Sequence, residues 1–246
     1  MKTSAKVLLL FTALLIVIII ESLTEIDVVL LNDFYDFQKR EWFITPAEHQ
    51  QLSFIFYRGS KQFVTLIGTS CVIYMLLSIK IKKYRYNAAA VLVVLLSTMT
   101  VSLTVSKLKD VTNIHCPNKL EIYNSKYKYE KFLSRIFEEG SANEKNGRCF
   151  PAGHVTGAFS LLSLYLIFRD RRNKIMAFLF SFVLGNITGT YQMMRGEHFI
   201  SHNVVSMIIS LLVILFLKFA VGKALLYIKK KSHADYWKDV DFQYVS

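Results

Sequence analysis

Residues 79–109 read IKIKKYRYNAAAVLVVLLSTMTVSLTVSKLK, and this stretch decides the fold. Four lysines and arginines crowd its first seven positions. The run that follows, residues 88–108, is apolar or small and hydroxylated, with Lys107 as its one ionisable side chain. A helix needs about 20 such residues to cross a hydrocarbon core, and basic residues at one end resist translocation. The stretch therefore reads as a membrane span entered from a basic, cytoplasmic loop.

Working outward, apolar runs of the same kind occupy residues 7–20, 63–79, 156–168, 175–190 and 204–228. Several are shorter than a full span, but each lengthens when flanking Ser, Thr and Tyr are included. The expected fold is all-α: a polytopic bundle of six transmembrane helices. No small-x-small cleavage pattern follows residue 20, where the sequence continues Glu21-Ser22-Leu23-Thr24-Glu25, so the first run reads as an uncleaved helix rather than a signal peptide. With the N-terminus inside, the basic runs at 79–85, 169–174 and 229–231 and the C-terminal tail all fall on the cytoplasmic face.

Composition agrees. The chain has 246 residues, 53% of them hydrophobic, only 3 prolines and a mean hydropathy of +0.35, which excludes an ordinary soluble globule. The formal charge of +12 raises nucleic-acid binding, but its residues punctuate the apolar runs, and loop charge bias accounts for them. One membrane domain is expected: a first helix and outer loop (1–62), a five-helix core (63–228) and a cytoplasmic tail (229–246). Aromatics among charges at Phe34, Tyr35, Phe37, Trp42 and Phe43 suit a short interfacial helix in the first outer loop; a solvated loop is the alternative.

Ionisable residues at membrane depth are costly, and clusters of them mark function. Three such clusters fall at the outer ends of the spans: Lys109 with His115-Cys116-Pro117; Arg148-Cys149-Phe150-Pro151-Ala152-Gly153-His154; and Gln192 through Arg195, Glu197, His198 and His202. Phosphoryl transfer needs cations around the phosphate oxygens, a nucleophile and an acid for the leaving group. Lys109 and Arg195 offer the cations, and His154 and His198 an acid and a nucleophile. Gly153 lets backbone N–H groups approach an anion. A metal site competes: His198 and His202, four apart, share a helix face, and His154 offers a third ligand. The metalloprotease pattern is absent, because Phe199 follows His198.

These residues resemble the motifs of the type 2 phosphatidic acid phosphatase superfamily, the lipid phosphate phosphatases. That family carries Lys, six residues, Arg-Pro; then Pro-Ser-Gly-His; then Ser-Arg, five residues, His, three residues, Asp. Here the first motif reads Lys109, six residues, Cys116-Pro117, the second Pro151-Ala152-Gly153-His154, and the third Tyr191-Gln192, five residues, His198, three residues, His202. The resemblance spans about residues 63–217.

It implies a metal-free phosphatase with no cofactor, in which His198 is the nucleophile, His154 the general acid and Lys109 a phosphate ligand. It further implies a bilayer-borne lipid substrate, such as undecaprenyl diphosphate, phosphatidylglycerol phosphate, phosphatidic acid or a lipid A phosphate. The setting implied is a bacterial cytoplasmic membrane, with both termini cytoplasmic and the site facing the periplasm. Among the departures, Arg195, one turn beyond Gln192, is expected to replace the missing third-motif arginine, Arg148 the one lost at Cys116, and His202 to orient His198. A second registration takes His202 as nucleophile with Ser206 as its partner. Cys116 and Cys149 flank two motifs on the side expected to be oxidising, and a disulfide between them would tie those motifs together. A lipid-to-lipid phosphotransferase, a non-enzymatic metal-binding membrane protein, and a relative weakened at Cys116, Ala152, Gln192 and His202 stay open.

Overall fold

The computed structural model describes residues 3–137, 147–232 and 235–242. Residues 138–146 of the expected second outer loop, and 233–234 and 243–246 of the expected tail, lie outside the described residues. The chain forms α1 (Thr3–Leu23), α2 (Ile26–Asn32), a hairpin of β1 (Tyr35–Asp36) and β2 (Glu41–Trp42), then α3 (Pro46–Ser53). A π-helical turn, Phe54–Gly59, leads into α4 (Ser60–Lys80), followed by α5 (Lys82–Arg85) and α6 (Ala88–Thr112). Beyond it come α7 (Phe132–Phe137), α8 (Thr156–Ser160) with its 3-10 continuation Leu161–Leu166, α9 (Arg171–Met193) and α10 (Ile200–Lys231).

The protein is nearly all-α, and among the described residues five helices are long and apolar enough to cross a membrane: α1, α3–α4 as one rod, α6, α9 and α10. The sixth run, expected over residues 156–168, is an 11-residue piece, Thr156–Leu166, that changes from α to 3-10 geometry at Leu161. Its serines explain the change. Ser160 Oγ donates to the Gly157 carbonyl (2.6 Å) and Ser163 Oγ to the Ser160 carbonyl (2.7 Å), so hydroxyls compete for helical acceptors.

This short piece is the centre of the bundle rather than its rim. Phe159, Leu162 and Leu166 are buried with Ala89, Ala90 and Val93 of α6 and Ile214, Leu217 and Val221 of α10. Helices packed inside a membrane have no hydrophobic drive between them, so close approach through small residues and hydroxyls holds them. Ala88, Ala89, Ala90 and Ser97 on α6 and Ser206, Ser210 and Gly222 on α10 are all buried. The buried hydroxyls stay satisfied within their helices, as where Ser97 donates to Val93 and Ser210 to Ser206 (2.7 Å each). The outer faces are greasy instead: Leu8, Leu15 and Ile19 of α1, Leu66 and Ile73 of α4, and Leu179 and Val183 of α9 are all exposed. In water such faces would be a liability, and lipid is their solvent.

The basic runs gather at one end. Arg85 pairs with Asp239 (3.2 Å) and Arg169 with Asp241 (2.5 Å), while Tyr236 and Trp237 pack on the core. Since α6 starts and α10 finishes there, Lys109 near the end of α6 and His202 near the start of α10 lie at the opposite end. The segment between α1 and α4 covers that opposite end. It holds α2, the hairpin and α3, and Tyr35 and Trp42 pack on Tyr123, Leu120, Met193 and Phe199 above the site.

Candidate functional site

The site is assembled from three chain segments far apart in sequence. Helix α6 delivers Lys109 and then stops at Asn113, which takes a left-handed conformation (φ 51°). Thr112 Oγ1 on its last turn donates to the Phe150 carbonyl (2.5 Å), fastening the next segment to α6. That segment is also tied to α10: the Ala152 N–H donates to the His202 carbonyl (3.1 Å), and Ser206 Oγ donates to the Ala152 carbonyl (2.8 Å). Gly153 is then forced against Lys109, because a Cβ at Gly153 would lie 2.8 Å from Lys109 Nζ.

His198 arrives on the turn between α9 and α10. Gly196 in that turn has φ +67°, and a Cβ there would sit 2.2 Å from the Trp42 ring, so only glycine fits. The start of α10 has no side-chain cap of its own; Phe199 is the N-cap residue. Asp27 of α2 supplies the cap from a distance, its Oδ1 accepting from the Ser201 N–H (3.1 Å) and its Oδ2 from Ser201 Oγ. Burial raises the Asp27 carboxyl above its ordinary range, against the pull of those two bonds.

His154 Nδ1 and His198 Nε2 lie 3.0 Å apart. His198 is 1% exposed. Burial holds its ring well below the ordinary imidazole range, and His202, His154 and Lys109 push the same way, while the Cys149 backbone opposes them as a hydrogen-bond partner. His154 is lowered to about 4 by burial first, then by the charges of Lys109 and Arg195. Both rings are neutral at pH 7.

The remaining site residues fall as follows. Arg195 donates from Nη1 to Gln192 Oε1 (2.9 Å), and its Nη2 lies 3.4 Å from Glu197 Oε1. Gln192 is fully buried, and its Nε2 has no partner. Arg148 pairs with Asp110 (3.0 Å), its side chain largely exposed, at the rim of the site. His202 is buried with its ring 5.8 Å from that of His198, and its Nδ1 has no partner. The other His198 nitrogen, Nδ1, faces Cys149 Sγ at 3.3 Å, rather than His202. Cys116 and Cys149 are bonded as a disulfide, with Cα atoms 5.0 Å apart.

Among the described residues one group has metal-ligand geometry: Cys149, His198 and His202, whose ligand atoms lie within 4.8 Å of one another. The expected set had His154 in the place of Cys149.

Some neighbours carried no sequence signal. The Tyr57 ring sits 5.5 Å from that of His154, and His49 Nδ1 lies 2.5 Å from the Tyr191 hydroxyl; neither has a spacing that relates it to the motifs. Asp27 had one, an acid beside an apolar run. A cavity of ≈ 370 Å³ opens from His154 and Gly153 between α4 and α6, lined by Tyr57, Ser60, Lys61, Ser102 and Ser106.

A mostly helical chain with membrane-length apolar helices, one end of which joins buried His198 and half-buried His154 to Lys109, carries the residue types that phosphoryl transfer uses. The PAP2 superfamily model matches residues 88–225, more than half of the chain, and the chain belongs to that superfamily, the type 2 phosphatidic acid phosphatases. The matched stretch contains Lys109, His154 and His198 and leaves out α1–α4. No curated protein and no solved structure matches the chain.

Proposed function

We propose that this protein is a lipid phosphatase that works through a phosphohistidine on His198, with no metal in the reaction. The observation that carries this is the meeting of three distant segments: His154 Nδ1 stands 3.0 Å from His198 Nε2, with the Lys109 ammonium packed at Gly153. In the proposed path, a lipid phosphate separates the two rings. Lys109 and Arg195 neutralise its oxygens, and Gly153 keeps the approach open. His198 Nε2 attacks phosphorus while protonated His154 gives its proton to the leaving lipid oxygen. Neutral His154 next takes a proton from water, which attacks the phosphohistidine and releases phosphate. Arg148, already paired with Asp110, contributes at the rim, and Gln192 holds Arg195. His202 supports the His198 segment by packing.

On this reading Thr156–Leu166 completes a sixth crossing, with both termini at the basic, cytoplasmic end. The histidines then face the periplasm of a bacterial cytoplasmic membrane, where a Cys116–Cys149 disulfide is stable. The hydroxyl-lined cavity between α4 and α6 is where a headgroup enters. The substrate is a phosphate monoester or diphosphate of a lipid, of the undecaprenyl diphosphate, phosphatidylglycerol phosphate, phosphatidic acid or lipid A class.

The test is phosphate release by purified protein from a panel of such lipids in chelator, with His198→Ala beside it. Wild type should release phosphate and form an acid-labile phosphoenzyme; the variant should do neither. Activity that vanishes in chelator, or persists in His198→Ala, overturns the proposal.

A further inference from the structure

Outside the proposed reaction, the most unusual grouping is Cys149, His198 and His202. All are buried, at 0%, 1% and 3% exposure, their ligand atoms lie within 4.8 Å of one another, and His202 keeps a ring nitrogen, Nδ1, without a partner. One thiol and two imidazoles are a borderline-soft donor set that suits zinc. What withholds it is the bond from Cys149 to Cys116, since a disulfide sulfur is not a thiolate. We propose that reduction of the Cys116–Cys149 disulfide opens a zinc site on Cys149, His198 and His202, and that zinc there silences the enzyme.

The distances support this. Zinc bonds of about 2.0–2.1 Å to nitrogen and 2.3 Å to sulfur in a tetrahedron place ligand atoms about 3.3–3.6 Å apart. Cys149 Sγ and His198 Nδ1 already stand 3.3 Å apart, and the widest separation in the set needs to close by about 1 Å. The backbone of Cys149 is a hydrogen-bond partner of both rings, so the three side chains are held around one short segment. His154, whose ring lies 5.2 Å from that of His198, separates the group from the cavity that it also lines.

The chemistry balances. A dithiol reductant transfers two electrons and two protons to the disulfide, giving two thiols and its own cyclic disulfide. Zinc then displaces the Cys149 thiol proton, which leaves to solvent. Binding at His198 Nδ1 displaces the proton from that nitrogen, and the neutral ring carries its proton on Nε2 instead. Nε2 then has no lone pair for phosphorus. Metal binding stands by itself; the silencing rests on His198 being the nucleophile.

The test uses the full-length protein in detergent, reduced with a dithiol, desalted without oxygen, its free thiols counted, and titrated with cobalt(II) as a spectroscopic stand-in for zinc. The expected result is one ion per chain, with a thiolate-to-cobalt charge-transfer band in reduced but not in oxidised protein. Cys116→Ser should show the band without reductant, and Cys149→Ser should lack it under every condition. Reduced protein with counted free thiols but no band, or a band in Cys149→Ser, overturns the site, and wild type alone decides this if a variant does not fold. In parallel, zinc should abolish phosphate release by reduced protein and chelator should restore it. Zinc-bound reduced protein that still releases phosphate overturns the silencing and leaves the cobalt result to speak for the site.

Discussion

Gly153→Ala isolates the contact on which the proposed phosphate site turns. The new methyl would lie 2.8 Å from Lys109 Nζ and 3.0 Å from Cε, whereas ordinary contacts to a methyl begin near 3.5 Å. The backbone at Gly153 is pinned on both sides, by Ala152 to α10 and by the Thr156 Oγ1 bond to the Gly153 carbonyl (2.8 Å). The lysine tip therefore moves, by about 0.7 Å or more. Misplacing a catalytic contact by about 1 Å costs on the order of 10²-fold, so kcat should fall by about 10- to 100-fold with little change in melting temperature. Removing the ammonium altogether in Lys109→Ala takes away a charge-assisted hydrogen bond of about 1.5–3 kcal/mol, a loss of similar size. Because both changes act through one group, the double variant should be no worse than Lys109→Ala alone. The assay is phosphate release at saturating lipid, with thermal unfolding in the same detergent. Full activity in Gly153→Ala, or losses that multiply in the double variant, would refute the placement of Lys109 at the phosphate.

Phosphate binding should be linked to proton uptake. His154 rests at about 4 partly because Lys109 and Arg195 face it; a phosphate dianion between them reverses that field and raises the ring towards protonation. Calorimetry of phosphate binding at pH 8 in buffers of different ionisation enthalpy should show uptake, and none would remove His154 as the acid. The same shift bears on stability. His154 is near 4 folded against 6.5 unfolded, so the unfolded chain takes the proton first. The protein should lose stability as pH falls from 6.5 towards 4 and gain none above 6.5, as read by melting temperature against pH. Gly196→Ala should destabilise by about 1–3 kcal/mol through its positive φ alone, and by more through Trp42; adding Trp42→Ala should recover part of the loss. Asp27→Ala strands the buried Ser201 N–H and hydroxyl, at a cost of about 1–3 kcal/mol, and should lower kcat as well as melting temperature because Ser201 opens the helix behind His198.

Lys109, His154 and His198, on which the proposed reaction rests, stand out in the sequence because motif spacing is local: six residues running off a helix end, four in a loop, five across a turn. The spans were legible for a similar reason, since a run such as 88–108 shows its solvent in its composition. What stayed hidden is set by contacts between distant segments. Nothing local distinguishes the serines at 160 and 163 from others in apolar runs, and their effect on helix geometry depends on being buried at the centre of the bundle. The sequence offers Arg148 as the replacement for the arginine lost at Cys116; its partner Asp110 is adjacent to Lys109 in sequence and 38 positions away from Arg148. Asp27, His49 and Tyr57 all come from α1–α4, outside the matched stretch, and reach the site only by folding over it.

Four of the five departures from the family motifs, at Cys116, Ala152, Gln192 and His202, are not independent of one another. Cys116 stands where an arginine is expected, and the space it leaves is taken up by its bond to Cys149. That bond sets Cys149 against His198 Nδ1, the nitrogen a third-motif carboxylate would hold, so the position at 202 no longer has to be an acid. A carboxylate at 202 would also be a buried charge beside His198, while a neutral imidazole there is cheaper to bury. Gln192 in the arginine position accepts from Arg195 one turn on, which moves the guanidinium rather than deleting it. Ala152 replaces a hydroxyl whose neighbourhood is already served by Ser206. Each change therefore has a partner within the same shell. A single reversion, such as Gln192→Arg, would set two guanidinium groups against one phosphate position and should weaken phosphate release rather than improve it; a gain of several-fold would mean that the shell is eroded rather than rebuilt.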